Sequence, residues 1–371
     1  MPFSKVNPDP YVKGLFLRSE HYAQNVKGLY DDATDKIIKM VNLYPGIDPK
    51  KTFSFRSYPK LEAEVNKILK ELYSQVYATT KGGIEAEWSI ANAANDNLVK
   101  AIFGTDSITD SHYAKLFNRN EKALDSFISR STGEPGLNLS QRIWNYSGQL
   151  KNEMNLCLAV SVGEGKSAGE ISREVRSYLK EPDKLFRRVR DEKGNLKLSK
   201  AAQAYNPGQG VYRSSYKNAM RVTRSETNMA YKASDFERFQ QLDFIQGYEV
   251  KLSKMHPVRM PQGDICDDLQ GRYPKDFKFV GWHSMCMCYV TSILLTDKEF
   301  SKYQDALLAG EDTSNFRSSN SVNEMPKQFH SWVAENTERG KEKKSQPYFI
   351  KDNFVNGRIE KGLKPEITKK S

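Results

Sequence analysis

Cysteine is scarce in this chain of 371 residues: there are four, too few for a disulfide scaffold. Histidine is nearly as rare, with five, and none stands in a GxSxG or HExxH context, so the common hydrolase signatures are missing. Long apolar runs are missing too. Stretches such as Cys157–Val160 and Ile293–Leu295 fall far short of the ~18 residues that suggest a membrane span. The opening MPFSKVNPDPYVKG has no apolar core after its first basic residue, so no signal peptide is expected. Apolar residues make up 38% and charged residues 28%, too polar for a membrane protein, while 11% aromatics is too many for wholesale disorder. A cytosolic, multi-part protein is expected, with no visible internal repeat.

What is abundant is positive charge. Lys and Arg number 57 against 46 Asp and Glu, a net +11, and most of the excess is local. Residues 184–232 carry twelve basic side chains against three acidic ones, net +9. Such a concentration attracts phosphate or an acidic partner, the alternative being a solvated face of mixed helices.

The pattern along the first 160 residues is helical. A helix is expected over Glu20–Asn42. Leu61, Val65, Ile68, Leu69, Leu72 and Val76 predict another, ended by Gly82-Gly83, and Ile84 to Phe103 starts a third, giving a helical hairpin. After a turn at Gly133-Glu134-Pro135-Gly136, Ser140 is expected to cap a helix carrying Ile143, Leu150 and Met154. Ser167 and Glu170 have capping-box spacing before a helix through Leu179. Residues 183–210 read as an exposed hairpin or arm, and Val211–Leu242 as a long helix. Tyr248-Val250-Leu252 and Cys288–Leu294 alternate like strands around a Pro/Gly-rich loop, His256–Trp282, with little apolar content. A helix over Asp297–Leu308, a polar linker at 309–324 and two apolar islands, Phe329–Val333 and Tyr348–Phe354, complete the chain. The fold class is α+β, predominantly helical at the N-terminus, with a small antiparallel sheet and a Cys/His loop.

Gly163-Glu164-Gly165-Lys166-Ser167 ends like a phosphate-binding loop, but the required first glycine is Val160, and a turn explains it better. Three cysteines cluster as C-x16-H-x2-C-x-C: Cys266, His283, Cys286 and Cys288, flanked by His256 and Asp264. Thiolates and an imidazole in this number close a tetrahedral zinc site, although reduced thiols packing as small hydrophobes use the same residues. Asp264 with Asp267 or Asp268 offers a weaker magnesium site of the nuclease kind. On the long helix, Lys217, Arg221, Arg224 and Asn228 form one polar stripe, suited either to track a nucleic-acid backbone or, through Arg224, to pair with Glu226 or Asp235 inside the fold.

RVTRSETNMAYKASDFERF (221–239), DICDDLQGRYP (264–274) and WHSMCMCYVTSIL (282–294), in this order, resemble the phage head-morphogenesis family typified by the F protein of phage Mu. The matching positions are Arg224-Ser225-Glu226, then Asp264, Cys266, Leu269 and Gly271, then His283, Cys286 and Cys288. Ser284 and Met287 replace the family's usual proline and arginine. The resemblance covers roughly 135–295 and implies three regions: a helical N-terminal region 1–134, the head-morphogenesis domain 135–296 with a basic arm 183–210, and a C-terminal extension 297–371. It also implies a minor capsid protein rather than an enzyme, located in the virion near the portal and acting in capsid assembly and DNA packaging or delivery. Expected partners are the portal protein, packaged double-stranded DNA bound without sequence preference, and major capsid or scaffold proteins, with no membrane. Arg187, Arg188, Arg190, Lys193, Lys197, Lys200, Lys217 and Arg221 are the expected contacts to DNA or portal. Cys266, His283, Cys286 and Cys288 are the expected ligands of a structural zinc. A virion-delivered nuclease or toxin carried by the same domain is the alternative.

Overall fold

The computed structural model describes residues 9–48, 51–103, 114–132, 136–161, 168–181, 188–190, 196–198, 212–314, 316, 318–342 and 346–368. The helices are α1 (Asp9–Leu43), α2 (Pro59–Phe103), α3 (Glu121–Ser129), α4 (Leu139–Ser161), α5 (Ala168–Lys180) and α6 (Ser215–Gln241), followed by the short α7 (His256–Arg259) and α8 (Ile265–Asp268). Then come α9 (Asp297–Leu308), α10 (Lys327–Glu342), α11 (Tyr348–Asn353) and α12 (Pro365–Thr368). The strands are β1 (Arg188–Arg190), β2 (Leu196–Leu198), β3 (Ile245–Lys251), β4 (Gly271–Tyr273) and β5 (Tyr289–Leu294). The fold is α+β and mostly helical, with a three-stranded antiparallel sheet in the order β4-β3-β5.

Two compact units interleave along the chain. One draws on Met1–Arg18, Ile84–Ser129 and Ser225–Ser371, the other on Ser19–Gly83 and Arg130–Arg224. In the second unit, Val26, Tyr30 and Ile37 of α1, Leu61, Val65 and Leu72 of α2, and Ile143, Leu150 and Met154 of α4 are all buried. The cap of α4 is Asn138, not Ser140. Asn138 Oδ1 accepts from the Gln141 amide at 2.9 Å and Gln141 returns the bond, while the Ser140 hydroxyl meets Tyr73 Oη at 2.7 Å. The Ser167 cap and the 163–167 stretch lie outside the described residues.

Gly82-Gly83 does not end a helix. Every fourth position stays apolar or buried through the pair (Leu72, Val76, Thr80, Ile84, Trp88), so α2 continues in phase to Phe103. Two glycines in a helix interior cost roughly 1 kcal/mol each, and burying one large apolar side chain returns about 1.5–3 kcal/mol. Packing decides the outcome.

The first unit has an aromatic core. Tyr248 stacks across the sheet on Tyr273, and Phe277 lies 5.0 Å from Tyr273 between ring centroids. Phe329 of α10 and Phe349 of α11 close the cluster against Phe277 and Trp282. The 256–282 loop is therefore not poor in core residues: Leu269, Tyr273, Phe277, Phe279 and Trp282 are all buried. The 309–324 stretch is not a loose linker either, since the Val322 amide donates to Gln246 O and Glu299 accepts from the Ser319 amide.

α6 departs most from expectation. Between Ser214 and Asp235 only Lys217, Arg221 and Arg224 escape full burial, so the polar stripe narrows to these three half-buried side chains and Asn228 is buried. Its polar side chains find partners instead: Thr223 meets Thr80 at 2.9 Å, Ser234 accepts from Asn92, Asp235 accepts from Asn95 at 2.8 Å, and Arg238 binds Asp96 and the carbonyl of Leu116.

Burial pushes the Asp235 carboxyl up to about 7, outweighing the Asn95 hydrogen bond and the charges of Arg238 and Lys232, which pull it down. A folded-state value above the unfolded one means that the native protein holds an extra proton between about pH 4 and 7. Its stabilising effect is complete below pH ~4 and lost as pH rises through 7, on the order of 4 kcal/mol in all. Urea unfolding at pH 5 and pH 8 should show this loss in the wild type, and Asp235→Asn should flatten it.

Candidate metal centre

Two short turns assemble the cysteine cluster. Asp264 caps α8: its Oδ1 accepts from the Cys266 amide at 2.7 Å, and Asp267 Oδ2 accepts from the Asp264 amide at 2.7 Å, a reciprocal capping box. This fixes Cys266 on the first helical turn, fully buried. On the other side, Gly281 (φ +128°) and Met285 (φ 61°) tighten a loop in which the Cys286 amide donates to His283 O. A Cβ at Gly281 would lie 3.1 Å from Cys286 Cβ, a contact that Cys286 would have to yield to, on a backbone conformation that side chains rarely adopt.

His283 Nδ1 donates to Ser284 O at 2.8 Å, which leaves Nε2 facing the cluster, 3.0 Å from Cys266 Sγ and 3.1 Å from Asp264 Oδ2. Cys286 Sγ is 3.7 Å from Cys266 Sγ. Cys266, His283 and Cys286 form a largely buried group able to hold a metal ion, and His256, Asp264 and Cys266 form a second, overlapping one. Asp264 joins the two, with His256 Nε2 3.1 Å from its Oδ1. The Cys288 thiol, also buried, interacts with both other thiols.

The three thiols share their protons unequally. Hydrogen bonding to Cys286 and Cys288, reinforced by burial, raises Cys266 far above an ordinary thiol. Burial also pushes Cys286 up, but the thiols of Cys266 and Cys288 and the charges of Lys232 and His283 bring it well below the ordinary value. Burial alone would raise the Asp264 carboxyl, but hydrogen bonds from the Cys266 amide and the His256 ring more than reverse that and hold it below its ordinary value.

Cys266, His283 and Asp264 do not make a nucleophilic triad. In such a triad the carboxylate orients the imidazole through the nitrogen remote from the nucleophile. Here Asp264 and Cys266 face the same Nε2, Nδ1 is taken by a backbone carbonyl, and the thiol is sealed from solvent. Of the carboxylates on which the nuclease alternative rests, Asp264 and Asp267 form the capping box of α8 and Asp268 is exposed.

The other motif residues hold backbone in place. Leu269 is buried and its carbonyl accepts from Tyr273 Oη at 2.8 Å. Gly271 has φ +142°, and a Cβ there would approach Pro326 Cγ to 3.1 Å. Arg224 forms a two-pronged bond with Glu20 (2.7 and 2.8 Å), and Glu226 is buried. Lys217 and Arg221 are half-buried. In the basic segment, β1 and β2 form an antiparallel hairpin carrying Arg188, Arg190 and Lys197. Arg187, Lys193 and Lys200 lie outside the described residues. Lys232 enters the sequence reading only as one of the basic side chains of residues 184–232, and its sole sign of burial there is its place among Ala230, Tyr231 and Ala233.

Comparison with protein-family models, with curated proteins and with solved structures returned no match. A direct check of the cluster's construction is Gly281→Ala. Left-handed strain and the contact with Cys286 should lower stability by about 1–3 kcal/mol in chemical denaturation and loosen the thiol cluster, read as faster thiol labelling of native protein.

Proposed function

We propose that this chain is a minor head protein of a tailed phage or prophage, acting near the portal in capsid assembly and DNA packaging or delivery, and that a structural zinc ties its motif region together. One observation carries the proposal: the three segments on which the family resemblance rests meet at one place. Asp264 and Cys266 come from the second segment and His283, Cys286 and Cys288 from the third. From the helix of the first, Lys232 donates to Cys286 O at 3.0 Å. Residues scattered over 221–294 thus serve a single knot, as expected of a structural module and not of an open catalytic cleft.

Cys266, His283, Cys286 and Cys288 would hold the zinc, a closed Cys3His set with no position for substrate. The metal would add to the aromatic packing that already orders the loop. The basic hairpin and its flanks, from Arg187 to Lys200, would meet packaged DNA or an acidic portal surface.

Two experiments test this. Protein purified without added zinc should contain about one zinc per chain and melt at lower temperature after chelation, whereas zinc near zero with an unchanged melting temperature would remove the metal. Co-purification with the phage's portal protein should survive nuclease treatment. If six phosphates are neutralised, log affinity for DNA should fall with log salt with a slope of about −5. Metal-dependent cleavage of plasmid DNA that is lost in Asp264→Ala would instead favour a virion-delivered nuclease.

A further inference from the structure

Lys232 is 2% exposed, an extreme position for an ammonium group. Its Nζ donates to Cys286 O at 3.0 Å and stands 5.5 Å from the centroid of the Phe279 ring. No carboxylate lies within ion-pair distance of it among the described residues. The acid one turn on, Asp235, hydrogen-bonds to Asn95 instead. A buried cation with one neutral acceptor and one ring face is far from satisfied, because desolvating a charge costs several kcal/mol unless an opposite charge faces it. The groups that feel its charge are the buried Asp235 carboxyl, raised toward neutrality by burial, and the thiols of Cys286 and Cys288.

We infer that Lys232 is the built-in counter-charge of a metal–thiolate centre, matched to three thiolates and one imidazole around a divalent ion. The inference rests on the zinc site proposed above. A divalent ion with Cys266, Cys286 and Cys288 as thiolates and His283 neutral carries a net charge of minus one, which one ammonium cancels. The position of Lys232, on the Cys286 and Cys288 side, also selects Cys288 over Asp264 as the fourth ligand. Asp264 has cationic or donor partners of its own in His256 and the Cys266 amide. Lys232 is then a positioning and charge-balancing residue that touches no metal.

The test separates charge from hydrogen bonding. Lys232→Gln keeps a donor for Cys286 O and loses the charge, while Lys232→Arg keeps the charge and alters the shape. With full-length protein titrated against a chelating indicator, Lys232→Gln should release zinc about 10–100-fold more readily, the range of outer-shell substitutions, and Lys232→Arg should stay near wild type. Cobalt substituted for zinc gives the ligand count: Cys288→Ser should remove about one third of the sulfur-to-cobalt charge-transfer intensity and Asp264→Asn none. Zinc retention by Lys232→Gln equal to wild type, or loss in Lys232→Arg as large as in Lys232→Gln, would overturn the role of Lys232 while leaving the zinc site standing. A wild-type chain that neither contains zinc nor binds cobalt would overturn both.

Discussion

A polar side chain taken out of water must be given a partner, and α6 takes many out at once. Its sequence, SYKNAMRVTRSETNMAYKASDFERFQQ, is far too polar for an ordinary core helix, yet most of it is buried. Each end therefore organises what surrounds it. Up to Arg224, buried Glu153 accepts from the Ser215 amide and hydroxyl, Gln149 takes Asn218, Thr80 meets Thr223 and Glu20 forks onto Arg224. Beyond Ser225, Asn92, Asn95 and Asp96 sit at i, i+3 and i+4 on α2, and they pair with Ser234, Asp235 and Arg238, at i, i+1 and i+4 on α6. A register slip between these two stretches would orphan several buried groups together, each at about 1–3 kcal/mol or more. The polar residues specify the alignment, and the apolar ones supply the driving force.

This is also why sequence alone leaves the two readings of the α6 stripe, a nucleic-acid track or ties inside the fold, unseparated. A row of Lys217, Arg221, Arg224 and Asn228 has the spacing of a solvated face, and spacing alone does not say whether partners stand opposite. Those partners lie up to 204 positions away, as Glu20 does from Arg224. The same limit explains α2: a glycine pair is a local stop signal, overruled by apolar positions that stay in phase on both sides. Where the controlling interactions are local, the text was legible. Thr296 and Glu299 form a reciprocal capping box, and the helix they open spans Asp297–Leu308 as expected. The strands expected at Tyr248–Leu252 and Cys288–Leu294 are β3 and β5 to within a few residues.

The Cys/His loop falls between these cases. Its ligand types and spacing pointed to one cluster, and Cys266, His283 and Cys286 do converge. The energetic reason offered by composition, a loop with nothing to bury, does not hold. Tyr273, Phe277 and Trp282 are core residues whose neighbours, Phe329 and Phe349, arrive from a tail that looked like an appendage. Order in the loop thus has two sources, aromatic packing beneath it and the thiol–imidazole knot above.

That dependence on the tail bears on how the chain is made. A ribosome delivers residues in order, and segments whose contacts are all nearby can settle as they emerge. The cysteine loop cannot, because half of the aromatic floor beneath it is encoded 40 to 80 residues downstream, at Phe329, Phe349 and Phe354. During synthesis Cys266, Cys286 and Cys288 emerge before the side chains that will bury them, so thiols sealed in the finished protein pass through a stage of full exposure. The redox environment of these thiols therefore matters most while the chain is being made, before they are sealed.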